Sequence, residues 1–122
     1  MSLVGRSDSM TCIFCQIISG ESKASIVHRD EQVTAFKDIH PLAETHLLIV
    51  PNRHIDSVND LQPEDSPLLG HMLLTARQLA ADLGVAEKGF RLIFNTGRDG
   101  GQTIYHLHLH LIAGKIARFA IG

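Results

Sequence analysis

The chain is short of positive charge: Lys and Arg number 11 against 13 Asp and Glu, a formal net charge of −2. A protein that grips a phosphate backbone carries a basic excess, so DNA and RNA are excluded as main partners and any nucleotide it takes is small. It also lacks an apolar run near the ~20 residues that cross a bilayer, and its first residues hold no apolar segment of signal-peptide length. No membrane partner and a cytoplasmic setting are the resulting expectations. Cysteine is limited to Cys12 and Cys15. A structural disulfide is not expected in that compartment, and thioredoxin-type chemistry needs a βαβ context that this pattern lacks.

Histidine, by contrast, is concentrated in one place. His106-Leu107-His108-Leu109-His110-Leu111-Ile112 sets three of the chain's eight histidines at every second position. Strand side chains alternate between faces, so a strand over 105–112 is predicted, with the histidines on one face and Leu107, Leu109 and Leu111 on the core face. Packing alone does not call for three imidazoles side by side. One metal ion does not either: at about 3.3 Å rise per residue the first and third stand about 13 Å apart, whereas zinc needs each ring nitrogen at about 2.1 Å. A row of imidazoles suits an extended anionic group such as a nucleotide phosphate. Neutral imidazole is a nucleophile, imidazolium is a donor, and both are populated near neutral pH.

The rest of the pattern reads as an α+β domain. Residues 1–10 are polar and unpatterned and are expected to be a disordered tail or a remnant of expression, with the native start at Met10; residues 11–122 are expected to form one domain. A short helix is predicted over 13–18, stopped by Gly20. Strands follow over 25–28 and 33–36 through a polar connection, and a central strand over 45–50 is ended by Pro51. The clearest helix spans 67–83: Ser66 stands as N-cap before Pro67, and Leu69, Met72, Leu73, Ala76, Leu79, Ala80 and Leu83 recur at helical spacing up to Gly84. Residues 90–95 read as a strand, and a glycine-rich loop over 96–101 leads into the histidines. Segregated helices and strands predict an antiparallel sheet. In the loop, Gly100 and Gly101 let backbone N–H groups approach a phosphate, and Gln102 and Thr103 add side-chain donors. His28, His40 and His71 read as surface residues.

Residues 106–112 resemble the His-x-His-x-His-x-x signature, x being apolar, of the histidine triad superfamily. The resemblance covers nearly the whole chain from Thr11, through Ile13-Phe14-Cys15-Gln16-Ile17-Ile18, Phe36-Lys37-Asp38-Ile39, Thr45-His46-Leu47-Leu48-Ile49-Val50-Pro51, Asn95-Thr96-Gly97 and Gly100-Gly101-Gln102. Within the superfamily the chain is similar to the small nucleoside phosphoramidases. The resemblance implies a sheet of about five antiparallel strands with one long and one short helix, and two such sheets joined across a homodimer.

The resemblance also implies hydrolysis of a purine nucleoside 5′-phosphoramidate to a nucleoside monophosphate and an amine. His108 is then the nucleophile that forms a nucleotidyl-histidine, the His106 carbonyl orients it, and His110 and His46 donate to the non-bridging oxygens. Asn95, Gly101, Gln102 and Thr103 hold the phosphate, with Thr103 standing where the family usually has serine. Asp38 accepts from the ribose, and Ile13, Phe14, Ile17, Phe36 and Ile39 wall the base. No cofactor is implied for catalysis. A structural zinc ion is implied on Cys12, Cys15, His54 and His106, a donor set of closed tetrahedral type, with unliganded thiols as the alternative. The tail departs from the family: Phe119 stands where close relatives place a tryptophan, and the chain has none. Two other functions stay open. One is diadenosine polyphosphate hydrolysis, although Leu111-Ile112-Ala113-Gly114 lacks that branch's glutamine. The other is a nucleotide-binding or scaffold protein whose hydrolysis is incidental.

Overall fold

The computed structural model describes residues 11–115; the tail expected at 1–10 and the substitution at Phe119 lie outside them. Strands β1 (Ile26–Arg29), β2 (Val33–Lys37), β3 (Thr45–Pro51), β4 (Arg91–Ile93) and β5 (Leu109–Ala113) form one sheet in the order β1-β2-β3-β5-β4. Every neighbouring pair is antiparallel. The aliphatic run of β3 takes the centre because both of its faces are covered: six of its seven residues are buried.

Alternation sorts the core into two layers. Val33, Ala35, Leu47, Ile49, Leu107, Leu109 and Leu111 pack on one face with Met72, Ala76, Leu79 and Ala80 of helix α2 (Ser66–Asp82). Phe36, Leu48 and Val50 pack on the other with Phe14 and Ile17 of helix α1 (Ile13–Ser19). Fully burying one such aliphatic side chain contributes about 1.5–3 kcal/mol, so Ile49 or Leu111 cut to alanine would cost about 2–5 kcal/mol. The functional face is the α1 side. There Cys12 caps the helix by accepting from the Cys15 N–H at 3.3 Å, and Gly20 ends it.

Four details differ from the sequence-based expectation. The histidine segment is not one strand: β5 begins only at Leu109, because the preceding chain leaves the ladder, with the Leu107 N–H donating to Ile55 O at 2.6 Å. Ser66 is not a cap. The 3-10 turn Pro63–Asp65 winds straight into α2, so Ser66 is already helical and its hydroxyl donates back to Pro63 O at 2.9 Å. Leu73 and Leu83, assigned to the apolar stripe, are 43% and 48% exposed. Finally, His28 and His71 have a partner: both ring Nε2 atoms lie on Asp30 Oδ2, at 2.6 and 2.8 Å, tying the β1–β2 turn to α2.

Candidate active site and metal centre

The orientation of each imidazole follows from what its second nitrogen touches. His108 is buried, and its Nδ1 lies 2.7 Å from the carbonyl oxygen of His106. A carbonyl only accepts, so Nδ1 carries the proton and Nε2 keeps its lone pair. Burial pushes the His108 pKa down, and the coulombic effect of His46 adds to this, while the bond to His106 and the Asp38 charge oppose it. The ring is therefore neutral near pH 7, the state that a nucleophile needs. Phe14 meets it edge-on with centroids 5.2 Å apart.

A second chain of hydrogen bonds starts in the loop before β3. The Leu42 N–H donates to His46 Nδ1 at 3.1 Å, which leaves the His46 proton on Nε2. That Nε2 sits 2.9 Å from His110 Nδ1 and 3.4 Å from Asp38 Oδ2. His46 thus donates to His110, and His110 carries its own proton on Nε2. In this arrangement His46 stands behind His110, its hydrogen already engaged. Burial lowers His46, with Asp38 opposing, and pushes His110 down to about 4, helped by His108 and His46. Asp38 is half-buried and accepts the His40 N–H on Oδ1 at 2.8 Å. Of the apolar residues expected to wall a base, Phe14, Ile17 and Phe36 are buried in the core layer, whereas Ile13 and Ile39 are open to solvent at 41% and 80%.

The loop over 96–102 precedes the histidine segment in the chain and is held by its own turn and by Asp56. Gly100 is required by close approach: a Cβ there would stand 2.3 Å from Thr96 O. Gln102 departs from its expected role. It is buried, its Oε1 accepts the Gly97 N–H at 2.9 Å, and its Nε2 donates to Asp56 O at 2.8 Å and Ile104 O at 3.0 Å. Both amide hydrogens are used, so Gln102 braces the loop from below instead of presenting a donor to phosphate. Asn95 is half-buried with its Nδ2 4.0 Å from where a Gly101 Cβ would lie, and Thr103 is exposed.

The structure brings Cys12, Cys15, His54 and His106 together, with their ligand atoms all within 4.8 Å of one another. His106 Nδ1 is 3.3 Å from Cys12 Sγ and 3.5 Å from Cys15 Sγ, and His54 Nδ1 is 3.3 Å from Cys15 Sγ. A tetrahedral zinc with ligands at about 2.3 Å (S) and 2.0–2.1 Å (N) has S-to-N edges of about 3.6 Å, close to this spacing. The outer nitrogens agree. His106 Nε2 donates to Pro51 O at 2.9 Å and His54 Nε2 to Asp56 Oδ1 at 2.8 Å, so both Nδ1 lone pairs face the sulfurs. Burial first, then the hydrogen bond and charge of Cys12, push the Cys15 thiol up to about 12, a cost that a divalent cation reverses by favouring thiolate. The donor set fits structural zinc. Asp56 was missed by sequence reasoning, although its place two residues after His54 was the available signal. Asp38, His46 and His110 are the other such group among the described residues. It suits a metal poorly, because the Leu42 N–H occupies the His46 Nδ1 lone pair and keeps the proton on Nε2, the nitrogen that faces Asp38 and His110.

A five-stranded antiparallel sheet carrying a buried histidine with its Nδ1 on a backbone carbonyl, beside two further imidazoles, is the arrangement of the histidine triad class. The family profile described as "Scavenger mRNA decapping enzyme C-term binding" matches residues 11–119. The chain is 50% identical over 103 residues to the purine nucleoside phosphoramidase of Escherichia coli (strain K12), covering 84% of this chain and 87% of that protein. It is 44% identical over 105 residues to Protein HitA of Neisseria gonorrhoeae, covering 86% and 97%. Among solved structures, a HIT family hydrolase from Legionella pneumophila Philadelphia 1 superposes with a TM-score of 0.87 at 46% identity, over 91% of this chain and 99% of that one. A histidine triad protein from Clostridium difficile gives 0.85 at 42% identity, over 87% and 92%. The chain belongs to the histidine triad (HIT) family and is an enzyme of that family, a hydrolase.

Proposed function

We propose that the enzyme hydrolyses purine nucleoside 5′-phosphoramidates through a covalent nucleotidyl-histidine on His108. The observation that carries this reading is the 2.7 Å bond from His108 Nδ1–H to the His106 carbonyl, which leaves Nε2 unprotonated in a buried neutral ring. In the first step Nε2 bonds to the α-phosphorus, the P–N bond breaks, and the leaving nitrogen takes one proton from solvent to depart as the amine. Charge gathers on the non-bridging oxygens, where the His110 Nε2–H donates; removing one such donor costs about 10²–10³ in rate. Water then attacks the same phosphorus, releasing the nucleoside monophosphate and restoring His108. The 50% identity to a purine nucleoside phosphoramidase supports the substrate class. The solvent-open Ile13 and Ile39, with Asp38 next to Ile39 in the chain, support contact with a purine and acceptance from ribose.

Two accompaniments belong to the same proposal. Zinc is held by Cys12, Cys15, His54 and His106, where it fixes the ring of His106 and takes no part in the phosphoryl step. When bound it supplies cross-linking of α1 to the segments before and after the core strands. The enzyme is a cytoplasmic homodimer, a reading supported by the family resemblance, by the place of β4 at the end of the strand order among the described residues with Leu92 37% exposed, and by exposed Leu73 and Leu74 on α2. Among the described residues no helix is long and apolar enough to cross a membrane.

Steady-state hydrolysis of an adenosine 5′-phosphoramidate beside diadenosine tetraphosphate, by wild type and His108→Ala, tests the reading. Preferential cleavage of the phosphoramidate that vanishes in the variant is expected. A better rate on the dinucleotide would move the enzyme to the polyphosphate branch, and absence of cleavage of either would make it a binding protein.

A further inference from the structure

We propose that Cys12 and Cys15 are a redox modification site, closed to a disulfide by hydrogen peroxide, and that closure misplaces the catalytic His108 and the loop over 97–102. Where this concerns activity it rests on the hydrolysis proposed above.

The two sulfurs touch the active site by three separate routes. The first runs through His106. Its ring lies on both sulfurs, at 3.3 and 3.5 Å, and its own carbonyl holds the His108 Nδ1–H at 2.7 Å. The second runs through Cys15 to His54 at 3.3 Å, on to Asp56 Oδ1 at 2.8 Å, and from the Asp56 carbonyl to Gln102, whose Oε1 fixes the Gly97 N–H. The third is the helix itself. Cys12 Sγ caps the first turn of α1 by accepting from the Cys15 N–H, and in that turn Phe14 packs edge-on against His108 at 5.2 Å and His106 at 5.8 Å. A cluster serving stability alone has no need to bear on the nucleophile, the loop brace and the packing ring together.

The pair is able to close. Both cysteines are half-buried and unpaired, their sulfurs lie within 4.8 Å, and they are the chain's only cysteines. Two thiols and one hydrogen peroxide give one disulfide and two waters as the O–O bond breaks; in the zinc-bound form the two thiolates supply the two electrons, solvent supplies the two protons, and Zn²⁺ is released. An S–S bond of about 2.05 Å draws each sulfur toward the other and off its imidazole. It removes the cap acceptor in its thiol form and takes away two of the four metal donors in one step, since a disulfide sulfur is not a thiolate ligand. His106 then keeps Pro51 as the anchor of its ring.

The test uses the whole chain, reduced and zinc-loaded, titrated with hydrogen peroxide up to equimolar. Four quantities are read: free thiols with intact mass, zinc released to a coloured chelator, the His108 Nδ1–H resonance assigned by comparison with His108→Ala, and phosphoramidate hydrolysis. The expected result is loss of both thiols and of two hydrogens in mass, release of the bound zinc, a shift or loss of the resonance, and a rate lowered about 10- to 100-fold. A dithiol reductant with zinc should restore all four. Cys15→Ser, which has no disulfide to form, should show no reductant-reversible loss of its own rate. Formation of the disulfide with the resonance and rate unmoved would overturn the proposal, as would thiols that survive equimolar peroxide. If the reduced enzyme cleaves no phosphoramidate, the proposed activity fails, and the thiols, zinc and resonance still decide the redox proposal.

Discussion

Two clusters of histidine stand side by side on the α1 face of the sheet, each with ligand atoms within 4.8 Å of one another, and they are built for opposite chemistry. In the first, His54 and His106 give their Nε2 protons to Asp56 and Pro51 and turn Nδ1 lone pairs onto two sulfurs. In the second, the Leu42 N–H fills the Nδ1 lone pair of His46, so His46 donates its Nε2–H to His110 Nδ1 and His110 presents its own Nε2–H. The residue type is the same, and an acceptor or donor at the far nitrogen decides whether the ring offers a lone pair to a cation or a hydrogen to an anion. His108 lies between them and uses the first arrangement: a carbonyl takes its Nδ1 proton, and the lone pair on Nε2 is free for phosphorus.

The contrast breaks most sharply if that lone pair is removed. His108→Ala is expected to lower phosphoramidate turnover by on the order of 10³-fold or more in a steady-state assay, while zinc content stays at the wild-type value. His46→Asn comes next. Without the ring that orients it, His110 loses its fixed donor direction, and kcat should fall about 10²-fold with KM changed far less. On the metal side, Asp56→Asn leaves the His54 Nε2–H facing an amide of uncertain direction. Chelator competition should show zinc bound about 10- to 100-fold more weakly, with a smaller fall in kcat than His46→Asn gives.

The smallest effect is on pH dependence. Burial first, with the neighbouring imidazoles, pushes His110 to about 4 from the ordinary 6.5. The unfolded chain therefore binds a proton over a range where the folded one does not. This contribution to stability is complete above about pH 6.5 and is lost as pH falls toward about 4. Thermal melting should show Tm declining across that window, and a variant His110→Gln should decline less steeply. An equal slope in both would place the titration elsewhere.

Much of the fold was legible because it rests on periodicity. The strict alternation around Leu107, Leu109 and Leu111 gave the core face, and the aliphatic run of β3 gave the sheet centre. The unread parts depend on partners far away in sequence. Alternation assigns side chains to faces but does not say where a ladder ends, and here Ile55, 52 positions before Leu107, takes its N–H and breaks the strand. Ser66 has every local mark of a cap, yet the turn before it had already set helical dihedrals. Gln102 looked like a donor because its loop leads directly into the histidine segment; burial and three backbone partners turn it inward. His71 reaches Asp30, 41 positions before it, through the packing of α2 on the sheet, which no local window contains, whereas His28 stands only two residues from Asp30.

The most direct test of the account is the protonation state of the individual imidazole nitrogens, read by long-range proton–nitrogen NMR at neutral pH on the reduced protein. The expected spectrum has His108 as the Nδ1–H form with a bare Nε2, and His46 and His110 as Nε2–H forms. A His108 that is imidazolium, or that carries its proton on Nε2, would contradict it, because the atom assigned to attack phosphorus would then have no lone pair to use.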